Sequence, residues 1–145
     1  MKTLSNLTIL LIFLFYTSCK NSVPPAISVD ITVLNQQGQN LLGPPAVYTK
    51  ENIDLFYVVN GQAQPYNANS NKGFFFIPDN NLHRIRIDLN FDRKEKYPLT
   101  LVKFGNSKID TIKAKFSFKL QSMPRIQAIW LNGIEKDING FIIIK

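Results

Sequence analysis

The sequence predicts an all-β domain, a sandwich or a barrel, behind an export signal. Three observations carry this. From Ile27 onward, apolar and polar residues alternate with period two in one short stretch after another, as half-buried strands require. Turn residues, among them the dipeptides Asn60-Gly61 and Asn132-Gly133, separate these stretches. No stretch after the N-terminal segment shows a helical period. Many short strands of this kind stack as two sheets or close into one, because each sheet has an apolar face to bury.

Residues 1–18 read as a signal peptide. Lys2 gives the positive start. Leu7, Ile9, Leu10, Leu11, Ile12, Phe13, Leu14, Phe15 and Tyr16 form an apolar run interrupted only by Thr8. A run of about ten residues suits a signal and falls short of the roughly twenty that a transmembrane helix needs. Thr17 and Ser18 are small and Cys19 follows, so cleavage is expected between Ser18 and Cys19. The pattern resembles the bacterial lipobox, which implies that Cys19 is the lipidation site. Tyr16 stands where a lipobox has leucine or another aliphatic residue, but its bulk also disfavours an ordinary small-residue cleavage site. Each buried CH₂ contributes about 0.8 kcal/mol, so two or more acyl chains anchor stably where one does not. Cys19 is the only cysteine, so an internal disulfide is ruled out. The plain alternative is an idle thiol in a discarded leader. Lys20 replaces the aspartate that holds lipoproteins at the inner membrane, and the resemblance thus implies the outer membrane.

Residues 19–26 form a short tether stiffened by Pro24 and Pro25, and residues 27–145 the β-sandwich domain. Ile27, Val29, Ile31 and Val33 alternate with Ser28, Asp30 and Thr32 as the first strand. Asn35 to Gly38 turn the chain, and Asn40 to Leu42 add a short pairing before Gly43, Pro44 and Pro45. Ile53 to Val59, rich in β-branched and aromatic residues, is a buried strand. Asn60-Gly61 returns it into Ala63 to Tyr66, since both residues accept the positive φ of a type I′ turn. Gly73 to Ile77 carries Phe74, Phe75 and Phe76 in succession; alternate residues face opposite ways, so both faces are covered or one phenylalanine is exposed. In Leu82 to Phe91, Ile85, Ile87, Leu89 and Phe91 point one way and Arg84, Arg86, Asp88 and Asn90 the other. Leu99 to Phe104 follows the charged turn Asp92 to Lys96. In Ile109 to Leu120, Ile112, Ala114, Phe116, Phe118 and Leu120 are expected inward, and Thr111, Lys113, Lys115, Ser117 and Lys119 outward. Ile126 to Leu131, around Trp130, and Phe141 to Ile144 complete a set of about seven to nine antiparallel strands.

Short segments spread over most of the mature chain share a further likeness. They are Val33-Leu34-Asn35 with Gly38 and Asn40-Leu41-Leu42; Ile53-Asp54-Leu55-Phe56-Tyr57 with Asn60-Gly61; Lys103-Phe104-Gly105-Asn106 with Asp110-Thr111-Ile112; Trp130-Leu131-Asn132-Gly133; and Ile142 to Lys145. In these the chain resembles small Bacteroidetes outer-membrane lipoproteins. The resemblance implies an immunoglobulin-like sandwich, although the Cys-Trp-Cys hallmark of antibody domains is missing. It implies no activity.

Apolar residues make up 45% of the chain, which supports a packed core and argues against disorder. The formal charge of +7 becomes +6 when Lys2 leaves with the signal. On an exported, tethered protein this suits anionic headgroups or acidic polysaccharide rather than nucleic acid. Simple solubility is the plainer explanation of the charge.

His83 is the only histidine, and spacing assembles neither a triad nor a metal site around it, so a surface position is expected. Asp79-Asn80-Asn81 lacks EF-hand spacing and reads as a turn. No catalytic residue, metal ligand or cofactor is expected. Trp130, Tyr66 and Tyr97 are the candidates for ligand contact by ring stacking, against the commoner use of aromatics as core. Lys113, Lys115 and Lys119 share one strand face, which suits solvent, a charged edge or an acidic partner.

The expected function is a non-enzymatic, lipid-anchored binding or accessory module of the cell envelope, held at the membrane and facing an envelope protein or polysaccharide. The alternatives are a small hydrolase on the same scaffold and a purely structural envelope protein. A cleft gathering His83 with two carboxylates would favour the hydrolase. A row of exposed aromatics on one sheet face would favour binding, and a smooth charged surface the structural protein.

Overall fold

The computed structural model describes residues 27–66, 72–79, 82–118 and 124–145. The predicted signal, Ser18, Cys19 and the tether lie outside them, as do Asn80, Asn81, Lys119 and Leu120. The described chain is all-β, with ten strands: β1 (Ser28–Leu34), β2 (Ile53–Val59), β3 (Gln62–Pro65), β4 (Phe74–Ile77), β5 (Arg84–Asp88), β6 (Leu99–Phe104), β7 (Asp110–Ser117), β8 (Arg125–Leu131), β9 (Ile134–Lys136) and β10 (Phe141–Ile144). They form two sheets, a four-stranded one in the order β10-β1-β5-β4 and a six-stranded one in the order β3-β2-β6-β7-β8-β9. The chain passes between the sheets after β1, β3, β5 and β9.

Alternation decides which side chains meet between the sheets. Val29, Ile31 and Val33 of β1, Ile85 and Ile87 of β5, Phe74 of β4 and Ile143 of β10 come from the smaller sheet. Ile53 and Leu55 of β2, Val102 and Phe104 of β6, Ile112, Ala114 and Phe116 of β7, and Ile129 and Leu131 of β8 come from the larger. All belong to one buried apolar cluster. A single core shared by both sheets is what makes the arrangement a sandwich. Two side-chain hydrogen bonds support it: across the sheets the Tyr57 hydroxyl donates to the Asp88 carbonyl (3.0 Å), and Asn90 Nδ2, in the connection after β5, donates to the Val58 carbonyl of β2 (2.9 Å).

Both Asn-Gly turns take the geometry that the dipeptides favour. Asn60 and Gly61 have φ of 52° and 77°, and Asn132 and Gly133 have 51° and 88°. They close the β2–β3 and β8–β9 hairpins.

Four expectations need correction. The pairing is not wholly antiparallel: β10 runs parallel to β1, with Ile31 opposite Phe141 and Val33 opposite Ile143. The described strands number ten rather than seven to nine, because β9 follows the second turn. Phe118 is 48% exposed instead of inward. The β7–β8 hairpin overhangs the sheet at this point: Leu99, the first residue of β6, pairs with Lys113, and β7 continues to Ser117. Finally, β7 lies between β6 and β8, so Lys113 and Lys115 do not guard an edge. The Phe74–Phe76 question resolves in favour of exposure. Phe74 is buried, Phe76 is half-buried, and Phe75 stands 51% exposed on the outer face beneath the Arg86 guanidinium.

Candidate functional site

On the outer face of the six-stranded sheet, β7 and β8 place Lys113 directly opposite Trp130, and β6 and β7 place Leu99 opposite Lys113. On the far side of Trp130, β9 supplies Glu135. Tyr97, at the end of the β5–β6 connection, brings its ring to 5.9 Å from Trp130, nearly perpendicular at 79°. The Lys113 ammonium lies 4.6 Å from the Trp130 ring centroid and 5.5 Å from that of Tyr97. Lys96 lies 5.4 Å from Tyr97 on the loop side. The charge sits over electron-rich ring faces, an attraction worth about 0.5–1 kcal/mol at exposed sites. Tyr97 is 38% exposed.

Of the three aromatics predicted as ligand contacts, Trp130 and Tyr97 are therefore neighbours, although far apart in sequence. Tyr66 is elsewhere. Its ring stands edge-on to Tyr57, 5.0 Å away, and packs over Gly73 at the side of the core. Desolvation raises the Tyr66 pKa, with the nearby Asp88 adding to the effect. Tyr57 is raised further by its deeper burial. Neither phenol is poised to ionise, and both act as packing residues.

Pairing register, which no local pattern reveals, makes Lys113 part of this cluster. A second polar group escaped sequence reasoning for the same reason. On the outer face of the smaller sheet Asp30 pairs with Arg86 across β1 and β5. Arg86 Nε and Nη2 donate to Asp30 Oδ1 and Oδ2 at 2.5 and 2.9 Å, and Arg84 Nη1 to Oδ2 at 3.3 Å. The Arg86 hydrogen bond is the main reason why the Asp30 carboxyl stays below its ordinary range. The group is internally satisfied, which suits a structural ion pair.

His83 is at the surface, as expected, but half-buried in an open cleft of about 500 Å³ that Asn40, Gly43, Pro44 and Asp79 also line. Asn40 builds the wall: its Oδ1 accepts from the amides of Leu42 and Gly43, and its Nδ2 donates to the His83 carbonyl. His83 Nδ1 lies 3.0 Å from the Asp79 carbonyl oxygen. The imidazole thus meets a backbone oxygen, and the cleft gathers one carboxylate residue instead of two. Among the described residues, no three His, Cys, Asp or Glu side chains are grouped to hold a metal. Comparison with known proteins finds no matching family model, curated relative or solved structure.

Proposed function

We propose that this chain is a lipid-anchored β-sandwich of the cell envelope, at the outer membrane, acting as a non-enzymatic binding or accessory module. The observation that carries the binding role is the meeting of Tyr97, Trp130 and Lys113 on an outward sheet face. An outward-facing aromatic pair with a mobile lysine over its ring faces is suited to a polysaccharide or a protein side chain. The anchor rests on the apolar N-terminal run and on Cys19.

The finer fold reading, an immunoglobulin-like sandwich, is also a proposal. The four crossings between facing sheets support it. The partition into four and six strands differs from the four and three of an immunoglobulin constant domain.

Fatty-acid labelling of the expressed protein, with Cys19→Ser as control, tests the anchor. Label present in the parent and lost in the variant is expected; an unlabelled parent would remove the anchored reading. Trp130 is the only tryptophan. Its fluorescence therefore reports directly on the proposed face when envelope polysaccharide is titrated in, and an unchanged spectrum across fractions would count against a role in binding it.

A further inference from the structure

We propose that one end of the sandwich, the end at which the chain enters β1, is a docking surface for an anionic lipid bilayer. The proposal rests on the anchored reading for one point, the direction from which the membrane arrives.

Strand direction defines this end. The amide of Leu89 donates to the Ile27 carbonyl (2.8 Å), so the start of β1 meets the exit of β5. The amide of Asn90 donates to Thr100 Oγ1 (2.7 Å), which brings the start of β6 to the same end. Because β7 runs antiparallel to β6, its tip and the start of β8 arrive there too. The tether 19–26 can reach at most about 28 Å when fully extended. Whatever end it enters is the end held near the bilayer.

The side chains presented there suit that neighbour. Phe118 is 48% exposed on the overhanging tip of β7, with its ring 5.3 Å from Phe91 and the Arg93 guanidinium 5.7 Å from its centroid. Tyr97 is 38% exposed beside Lys96. Lys94 and Arg125 are exposed. The acids in the same loop are Asp92 and Glu95, and Asp92 Oδ1 is occupied by the Lys94 amide. Cations thus outnumber carboxylates around an exposed aromatic ring. A phenylalanine ring inserts at the boundary of headgroups and acyl chains and a tyrosine ring rests at headgroup depth, while long basic side chains keep their charge among the phosphates.

The test uses residues 20–145, since every described strand and the whole apolar cluster lie within 27–145. The protein is sedimented with vesicles of phosphatidylcholine alone and with vesicles containing phosphatidylglycerol. Binding to the anionic vesicles, reversed by salt, is expected. Arg93→Gln combined with Lys94→Gln should weaken it about 25-fold, from about five-fold for each cation at such a surface. Phe118→Ser should weaken it further, and Lys50→Gln with Lys108→Gln should leave it unchanged. Circular dichroism confirms that each variant is folded. Failure to bind anionic vesicles, equal binding to both vesicle types, or equal losses from both lysine-containing pairs of substitutions would overturn the docking surface. Labelled parent protein with no vesicle binding would leave the anchor standing without this surface. Vesicle binding without label would keep the surface and remove the anchor.

Discussion

Lys145 of the smaller sheet's end reaches across to Asp110 at the head of β7 in the larger one, Nζ lying 2.5 Å from Oδ2. The two side chains are only 10% and 9% exposed. Asp110 Oδ1 accepts from Asn132 Nδ2 (2.9 Å), whereas Oδ2 has no aligned hydrogen bond and depends on the ammonium. Lys145 also gives its amide to the Leu34 carbonyl (2.8 Å). The pair therefore pins the two sheets together at the end opposite Ile27.

Removing one partner leaves a charge in a poorly hydrated place. Lys145→Met is expected to cost about 3 kcal/mol in urea unfolding, and Asp110→Asn somewhat less because Asn132 keeps a partner. The double variant should cost much less than the sum, since neither charge is then stranded. Additive losses would show that the pair is not coupled.

Asp30 and Asp88 should move stability in opposite directions on acidification. Asp30 has its folded pKa lowered, chiefly by the Arg86 hydrogen bond. Its contribution is present above the unfolded carboxylate value of about 3.9 and is lost as pH falls through the lower folded value. Asp88 is raised by burial. Its ionised form is a cost at neutral pH, and that cost disappears as pH falls through its folded value. Asp30→Asn should lose about 1 kcal/mol at pH 7 and progressively less as pH falls below the ordinary carboxylate range; the Arg86 side chain is 41% exposed, so screening holds the effect down. Asp88→Asn should be more stable than the parent at pH 7. Thermal unfolding followed from pH 7 to pH 2 distinguishes the two.

The Asn-Gly turns can be weighed without packing effects. A Cβ added at Gly61 or Gly133 meets no atom within 4 Å, so only the positive φ opposes it. Gly61→Ala and Gly133→Ala are each expected to cost about 1–2 kcal/mol. A change below about 0.3 kcal/mol in either would mean that the turn tolerates another type.

β10 is an edge strand of the described sheet and carries Ile142 and Ile144 at 50% and 57% exposure, with no charge among Phe141–Ile144. Uncharged edges of this kind pair with other chains. Ile142→Lys should lower the aggregation rate measured by light scattering, with unfolding free energy changed by less than about 0.5 kcal/mol.

Much of this fold is legible in the sequence because most strands carry their own alternation. Ile53–Val59 emerges with the bounds read from composition alone, and both Asn-Gly dipeptides turn as their backbone tolerance dictates. What stays hidden is non-local or unpatterned. β9 is short and mostly exposed, so Ile134-Glu135-Lys136 shows no buried alternation. Phe118 follows the period of β7, but no signal in the chain says where the opposing cover ends. Trp130 and Tyr97 are recognisable as candidates by residue type alone. Their contact, and the part that Lys113 takes in it, depends on register across β6, β7 and β8.

The parallel pairing of β1 with β10 has a consequence in time. A strand made early keeps one side unpartnered until nearly the whole chain has been synthesised, since Ile31 finds Phe141. Contacts so distant in sequence are slow to close, because the entropy of a long loop is lost before any pairing compensates for it. Completion of the smaller sheet is thus a late event. A chain interrupted before Phe141 exposes a β1 edge that is apolar in Ile31 and Val33, which is the kind of surface that chaperones and proteases meet first.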